Sequence, residues 1–279
     1  MPERTASQEM PGHWSYITLV LYLASLALYV RFLYTGRKQT GRLAAMALAL
    51  GLGSHYLALL ERSHWVHSVP YDDLYGSLSL FGWLLAATYL GLELYYRQRS
   101  MGAFVLPCVL ALFALGTWPG HDLPATQQEQ GALFALHVTL SVLAYAAFAL
   151  AFVLSVVYLL QDRHLRRRHP GRMVWRFPPL DGLERMSRGS VRVGLVSLLV
   201  GTVLGIYWQW HIHHVFLLTD PKVLVTLVIL ALYAGYLRLS ERGVWRGARA
   251  SLMCALTFLL VIFSYAVVNL YLSHFHRFL

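Results

Sequence analysis

Eight apolar stretches, roughly 14–34, 43–61, 77–96, 101–117, 132–161, 189–210, 222–238 and 250–273, leave this chain few ways to fold. Each approaches or exceeds the roughly 20 residues that a helix needs to cross the hydrocarbon core of a bilayer. In that solvent each backbone N–H and C=O must be satisfied within the segment, so such runs fold as helices. The composition agrees, since 57% of the 279 residues are hydrophobic and only 13% are charged, too apolar a mixture for a water-soluble domain. The expected fold is all-α: a polytopic integral membrane protein of about eight transmembrane helices, forming one domain over 1–279. The first run follows a polar tail holding Glu3, Arg4 and Glu9 with no basic n-region, and reads as a retained helix rather than a cleaved signal. The tightest pair is 77–96 with 101–117, joined only by "RQRS".

A formal charge of +10 could suggest nucleic acid, but here the basic residues sit in short connectors between apolar runs, so nucleic acid is not an expected partner. They read as topology signals. The connectors "TGRKQTGR", "RQRS", "DRHLRRRHPGRMVWRFPPLDGLERMSRGSVR" and "RLSERGVWRGAR" are basic, whereas "TWPGHDLPATQQEQG" has no Lys or Arg. Assigning the basic set and Arg31 to the cytoplasm puts 19 of the 23 Lys and Arg inside. Both termini then lie on the outer side. The 162–192 connector is expected to be partly helical along the cytoplasmic interface. Cys108 and Cys254 lie in apolar runs and form no CxxC or CxxCH pattern, so they read as buried structural cysteines.

With that orientation, eleven of the 13 histidines fall on the outer side. His137 opens the fifth run, His211, His213 and His214 follow the sixth, and His274 and His276 close the eighth. His55 alone lies well inside a span and reads as a packing or hydrogen-bonding residue. Neutral imidazoles gathered at helix ends facing one compartment are candidate metal ligands. Catalytic zinc asks for closely spaced ligands and a carboxylate base, as in HExxH, which "HIHH" lacks. Haem iron suits the pattern better. It takes axial histidines, and its macrocycle needs apolar and aromatic walls of the kind Tyr207, Trp208, Trp210 and Phe216 could supply. A transporter reading lacks paired broken helices and ionisable groups at mid-membrane depth.

Several stretches together resemble the CcsA/ResC-type haem-handling membrane proteins of cytochrome c assembly, a superfamily that includes HemX-like proteins. "VPYDDLYGSLSLFGWLLAATYLGLELYY" (69–96) is similar to that family's Pro-Leu-Ser-Asn-Leu-Tyr-Glu-Ser stretch and the helix after it. "LHVTLSVLAYAAFALAFVLSVVYLLQDRHLR" (136–166) resembles its His-Val-Ser helix, and "FPPLDGLERM" (177–186) its cytoplasmic linker. "DPKVLVTLVILALYAGYL" (220–237) resembles its Asp-Pro-Lys-Glu-Thr-Trp helix, and "VVNLYLSHFHRF" (267–278) its closing segment. Gly205, Trp208, Asp220, Pro221 and Lys222 keep the frame of the family's tryptophan-rich connector. His213, Leu217 and Thr219 replace its later tryptophans, and Val223 replaces its Glu. This degeneracy points to a divergent or HemX-like branch.

The resemblance implies a membrane protein that binds haem b and presents or carries it at the outer face for cytochrome c maturation. His137 and His276 match the two outward-facing ligands, with His274 as the rival of His276, and Trp208 matches a wall of the site. Asp220 and Lys222 would shape the connector or meet haem propionates, and His213 stands among the residues that would contact the cofactor. The family's membrane-embedded histidine falls at Arg238 here, which argues against a second haem. The implied partners are haem, an apocytochrome c whose CxxCH supplies the thiols, and a ResB-type membrane protein. The chain would be at most the membrane subunit of a haem-attachment system, in the bacterial cytoplasmic membrane. The alternative implied is a HemX-like regulator of a haem-biosynthesis enzyme, acting through the 162–192 connector.

Overall fold

A computed structural model describes residues 12–66, 74–117, 131–166, 179–213 and 221–267. Among them the chain is all-helical: α1 (His13–Thr35), α2 (Lys38–Val66), α3 (Leu74–Tyr96), α4 (Gly102–Thr117), α5 (Ala132–Arg166), α6 (Leu180–His213), α7 (Pro221–Glu241) and α8 (Ala248–Val267). The eight apolar runs and the eight helices correspond one to one. Six helices are long and apolar enough to cross a membrane, and α4 and α8 offer shorter apolar segments. The protein is a polytopic membrane protein.

Local chemistry explains where the helices stop. α1 ends at Gly36, whose left-handed backbone (φ 65°) lets its N–H close back on the Phe32 carbonyl at 2.8 Å. The tight α3–α4 connector puts Arg97 in the same region (φ 55°). It is tied down by Arg99, which pairs at 3.4 Å with Glu93, a carboxylate 1% exposed, and whose carbonyl accepts from Tyr89 Oη at 3.4 Å. α6 starts where two prolines end: Pro179 accepts the Gly182 N–H at 2.7 Å, and Asp181 complements the positive end of the helix dipole. α7 carries Pro221 at its first position, where a missing N–H costs nothing.

The basic connector is partly helical, as expected. α5 continues to Arg166 and α6 already begins at Leu180, so the helical parts of 162–192 are extensions of the two spans, with 167–178 outside the described residues. At roughly 1.5 Å per residue, each of these helices is about 50 Å long against roughly 30 Å of hydrocarbon. Both therefore carry turns beyond the apolar layer, where charge is tolerated. Arg166 pairs with Asp162 at 2.8 Å, Arg188 with Glu184 at 2.8 Å, and Arg192 reaches across to Glu241 of α7 at 2.5 Å.

The helices fall into two compact units, with α3 divided between them at Ala87. In the first, α1 packs on α2 and α4. The interface is stitched by Thr18 to Ser54 (2.9 Å) and by the Ser25 hydroxyl donating to the Ala44 carbonyl (2.9 Å). In the second, α5 lies along α6 and against α8, and α7 packs on α6 and α8. Its core holds Phe148 stacked on Tyr233, with centroids 3.8 Å apart and planes 8° from parallel. The Ser190 hydroxyl of α6 donates to the Ala147 carbonyl of α5 at 2.7 Å. Of the two cysteines expected to be buried, Cys254 meets the expectation and Cys108, exposed on α4, does not.

Candidate functional site

The first turns of α5 meet the last turns of α6, and His137 is the side chain that joins them. Its Nδ1 lies 2.6 Å from the Gly201 carbonyl. A carbonyl only accepts, so Nδ1 carries the proton and donates, which leaves Nε2 with its lone pair. That is the tautomer a metal-binding imidazole needs, fixed by the hydrogen bond of the other ring nitrogen. The ring lies over Gly205, where an added Cβ would stand 2.5 Å from Cε1 and 2.6 Å from Nδ1.

An aromatic ring flanks the imidazole. Phe134, one turn before His137 on α5, has its centroid 6.2 Å from the imidazole and 4.7 Å from the indole of Trp208 on α6. Phe134 thus bridges the expected ligand and the expected wall. Of the other aromatic residues named from the sequence, Tyr207 and Trp210 are exposed, Tyr207 stacks with His211 at 6.0 Å, and Phe216 lies outside the described residues. Asp220, His274 and His276 also lie outside the described residues, as do the side chains of His213 and Lys222. Among the described residues no three His, Cys, Asp or Glu side chains come together to hold a metal ion. What the described part supplies is one oriented imidazole with an aromatic flank, a donor set that fits one axial position of haem iron and its apolar surround.

His55 is placed differently. It is fully buried, with Nδ1 3.0 Å from Tyr22 Oη and Nε2 2.9 Å from Ser79 Oγ, and its ring meets Phe113 edge-on at 4.7 Å. Both nitrogens are engaged, so His55 ties α1, α2 and α3 together and has no lone pair to offer, in keeping with the packing role expected of it. Arg238, which stands where the resembled family has an embedded histidine, is exposed on α7. Sequence reasoning missed Phe134 and Gly201. The i, i+3 spacing of Phe134 and His137 was one available signal, and the Gly201 to Gly205 spacing in "GTVLG", a close-packing pattern of membrane helices, was the other.

The fold and this arrangement define a class: a multi-pass helical membrane protein that offers an oriented imidazole at one end of a long helix pair. Within that class, the chain belongs to the cytochrome c assembly protein family, whose model matches residues 71–276. It is 29% identical to protein HemX of Bacillus subtilis (strain 168), over 94% of this chain and 95% of that one. Protein HemX of Brevibacillus brevis is 28% identical, over 90% and 94% of the two chains. Cytochrome c biogenesis protein CcsA of Synechococcus sp. (strain WH7803) is 25% identical, over 90% and 91%. The resemblance to the CcsA-type superfamily, on its HemX-like branch, is borne out.

Proposed function

We propose that this chain takes part in cytochrome c biogenesis as a haem-binding membrane protein that presents or carries haem b at the outer face of the bacterial cytoplasmic membrane, with both termini outside. The observation that carries the reading is the His137 to Gly201 hydrogen bond, which leaves Nε2 as a ready axial donor. His276, or His274 two positions earlier, would hold the haem together with His137. Phe134 and Trp208 would give the macrocycle an apolar, water-excluding wall. Asp220 and Lys222 hold the connector or meet the propionates, and His213 adds a contact where relatives of the resembled type carry tryptophan. Bound haem supplies vinyl groups that thiols can attack. The chain positions them, an apocytochrome c provides the thiols of its CxxCH, and a ResB-type protein assists in the membrane. The chain itself would act as carrier and template.

The test is an absorption spectrum of the detergent-purified protein, oxidised and reduced. A sharp low-spin alpha band in the parent, lost in His137→Ala or His276→Ala and restored by added imidazole, is the expected outcome. A low-spin band that survives the double variant would remove both ligands from the reading. The second reading, a HemX-like regulator acting through 162–192, is favoured by the extension of α5 and α6 beyond the apolar layer into that basic connector. Recovery of a cytoplasmic enzyme on that connector, with no haem in the purified protein, would select it.

A further inference from the structure

We propose that Gly201 and Gly205 of α6 form a seat that sets the tautomer and the orientation of His137, so that both glycines are positioning residues for the haem ligand. The inference rests on the haem reading above and adds to it a device on the opposite helix. A pair of small residues four apart is in general a means of bringing two helices close. Two separate observations give this pair more specific work. The Gly201 carbonyl accepts from Nδ1 at 2.6 Å, and its two lone pairs let it serve the helix ladder and the imidazole together. At Gly205 the missing side chain is occupied by the ring itself. A Cβ there would come within 2.6 Å of both Cε1 and Nδ1, and within 3.2 Å of Nε2, the atom that must stay open. At Gly201, by contrast, the atoms nearest to a Cβ would be Ser141 Oγ at 3.2 Å and Leu140 Cβ and Ser141 N at 3.4 Å, none of them in the imidazole. The seat is therefore polar at Gly201, through its backbone, and steric at Gly205, through the absence of a side chain.

Gly194, on the same helix, separates positioning from packing. It faces Phe148 of α5, where a Cβ would come within 2.5 Å of Cε1, so Gly194→Ala strains the same helix pair away from His137. The experiment uses full-length protein with ring-¹⁵N histidine, reconstituted in phospholipid nanodiscs, and reads the His137 tautomer by NMR without haem and the affinity for added haemin by titration. The parent should show a protonated Nδ1 and a bare Nε2. Gly205→Ala should release that tautomer and weaken haemin binding by about 10- to 100-fold, the usual cost of losing a partner behind a metal ligand. Free imidazole should restore its low-spin spectrum. Gly194→Ala should leave tautomer and spectrum unchanged, and Gly205→Ala should cost nothing further in a His137→Ala background. A parent with its His137 proton on Nε2 overturns the seat without any variant, and so does an unchanged tautomer in Gly205→Ala. A parent that binds no haemin, yet holds the Nδ1 proton and loses that order in Gly205→Ala, keeps the seat and refutes the haem reading instead.

Discussion

Two kinds of residue would hold a flat macrocycle with charged edges, and Trp208 and Lys222 separate them. Trp208 packs its indole against Phe134, whereas Lys222, the second residue of α7, would act through its charge. An ion pair open to water is worth about 0–1 kcal/mol, and burial of a large apolar side chain about 1.5–3 kcal/mol. Trp208→Ala should therefore lower haem occupancy more than Lys222→Ala, read from the ratio of haem to protein absorbance after purification. Equal occupancy in Trp208→Ala and the parent would take Trp208 out of the site. His55 makes the opposite prediction. His55→Ala should keep the haem spectrum, but it leaves Tyr22 Oη and Ser79 Oγ without the imidazole between them. Stability should fall by about 1–3 kcal/mol, measured by thermal unfolding in detergent. Collapse of the haem spectrum in that variant would assign the ligand role to the wrong histidine. The contrast between His137 and His55 was legible in part, because depth in a span can be read from the sequence. Which nitrogen each ring spends on a hydrogen bond was not, since the partners lie 64, 33 and 24 residues away.

At the scale of the helix, close approach is governed by what glycine leaves out. Gly194 gives its space to Phe148, which in turn stacks on Tyr233, so a methyl group there disturbs a chain of three residues. Overpacking of this kind costs about 1–3 kcal/mol. The Ser190 to Ala147 hydrogen bond joins the same two helices, but interhelical hydrogen bonds in membranes average about 0.6 kcal/mol. Gly194→Ala should accordingly destabilise the protein more than Ser190→Ala in a detergent unfolding titration. The reverse order would mean that Phe148 relaxes freely. The ends of elements were the least legible part. The apolar runs that close the fifth span near 161 and open the sixth near 189 stop where hydropathy stops, but the helices run on to Arg166 and begin at Leu180, because ion pairs such as Arg166 with Asp162 and Arg188 with Glu184 let a helix leave the apolar layer intact.

For the whole molecule, the testable matter is orientation. With Cys108 replaced by alanine and Cys254 buried, an impermeant maleimide applied to intact cells should label a cysteine at position 127 and spare one at position 167. Labelling of position 167 alone would invert the topology and move His137 to the cytoplasmic face. The number, order and helical nature of the elements were determined by the sequence itself, because hydropathy is a local property measured against a fixed bilayer thickness. The tight α3–α4 pair held for the same reason. Which face of each helix meets a neighbour was decided only by the tertiary structure. In water an apolar stripe marks the buried side, but lipid is as apolar as a protein core, so both faces of a membrane helix carry the same residues. On α2, Leu48 is fully buried and Leu50 is 63% exposed, and nothing in their chemistry distinguishes them. The seat of His137 against Gly201 and Gly205 is of the same kind: the sequence supplies an imidazole and two glycines, and only the packing of α5 on α6 brings them together.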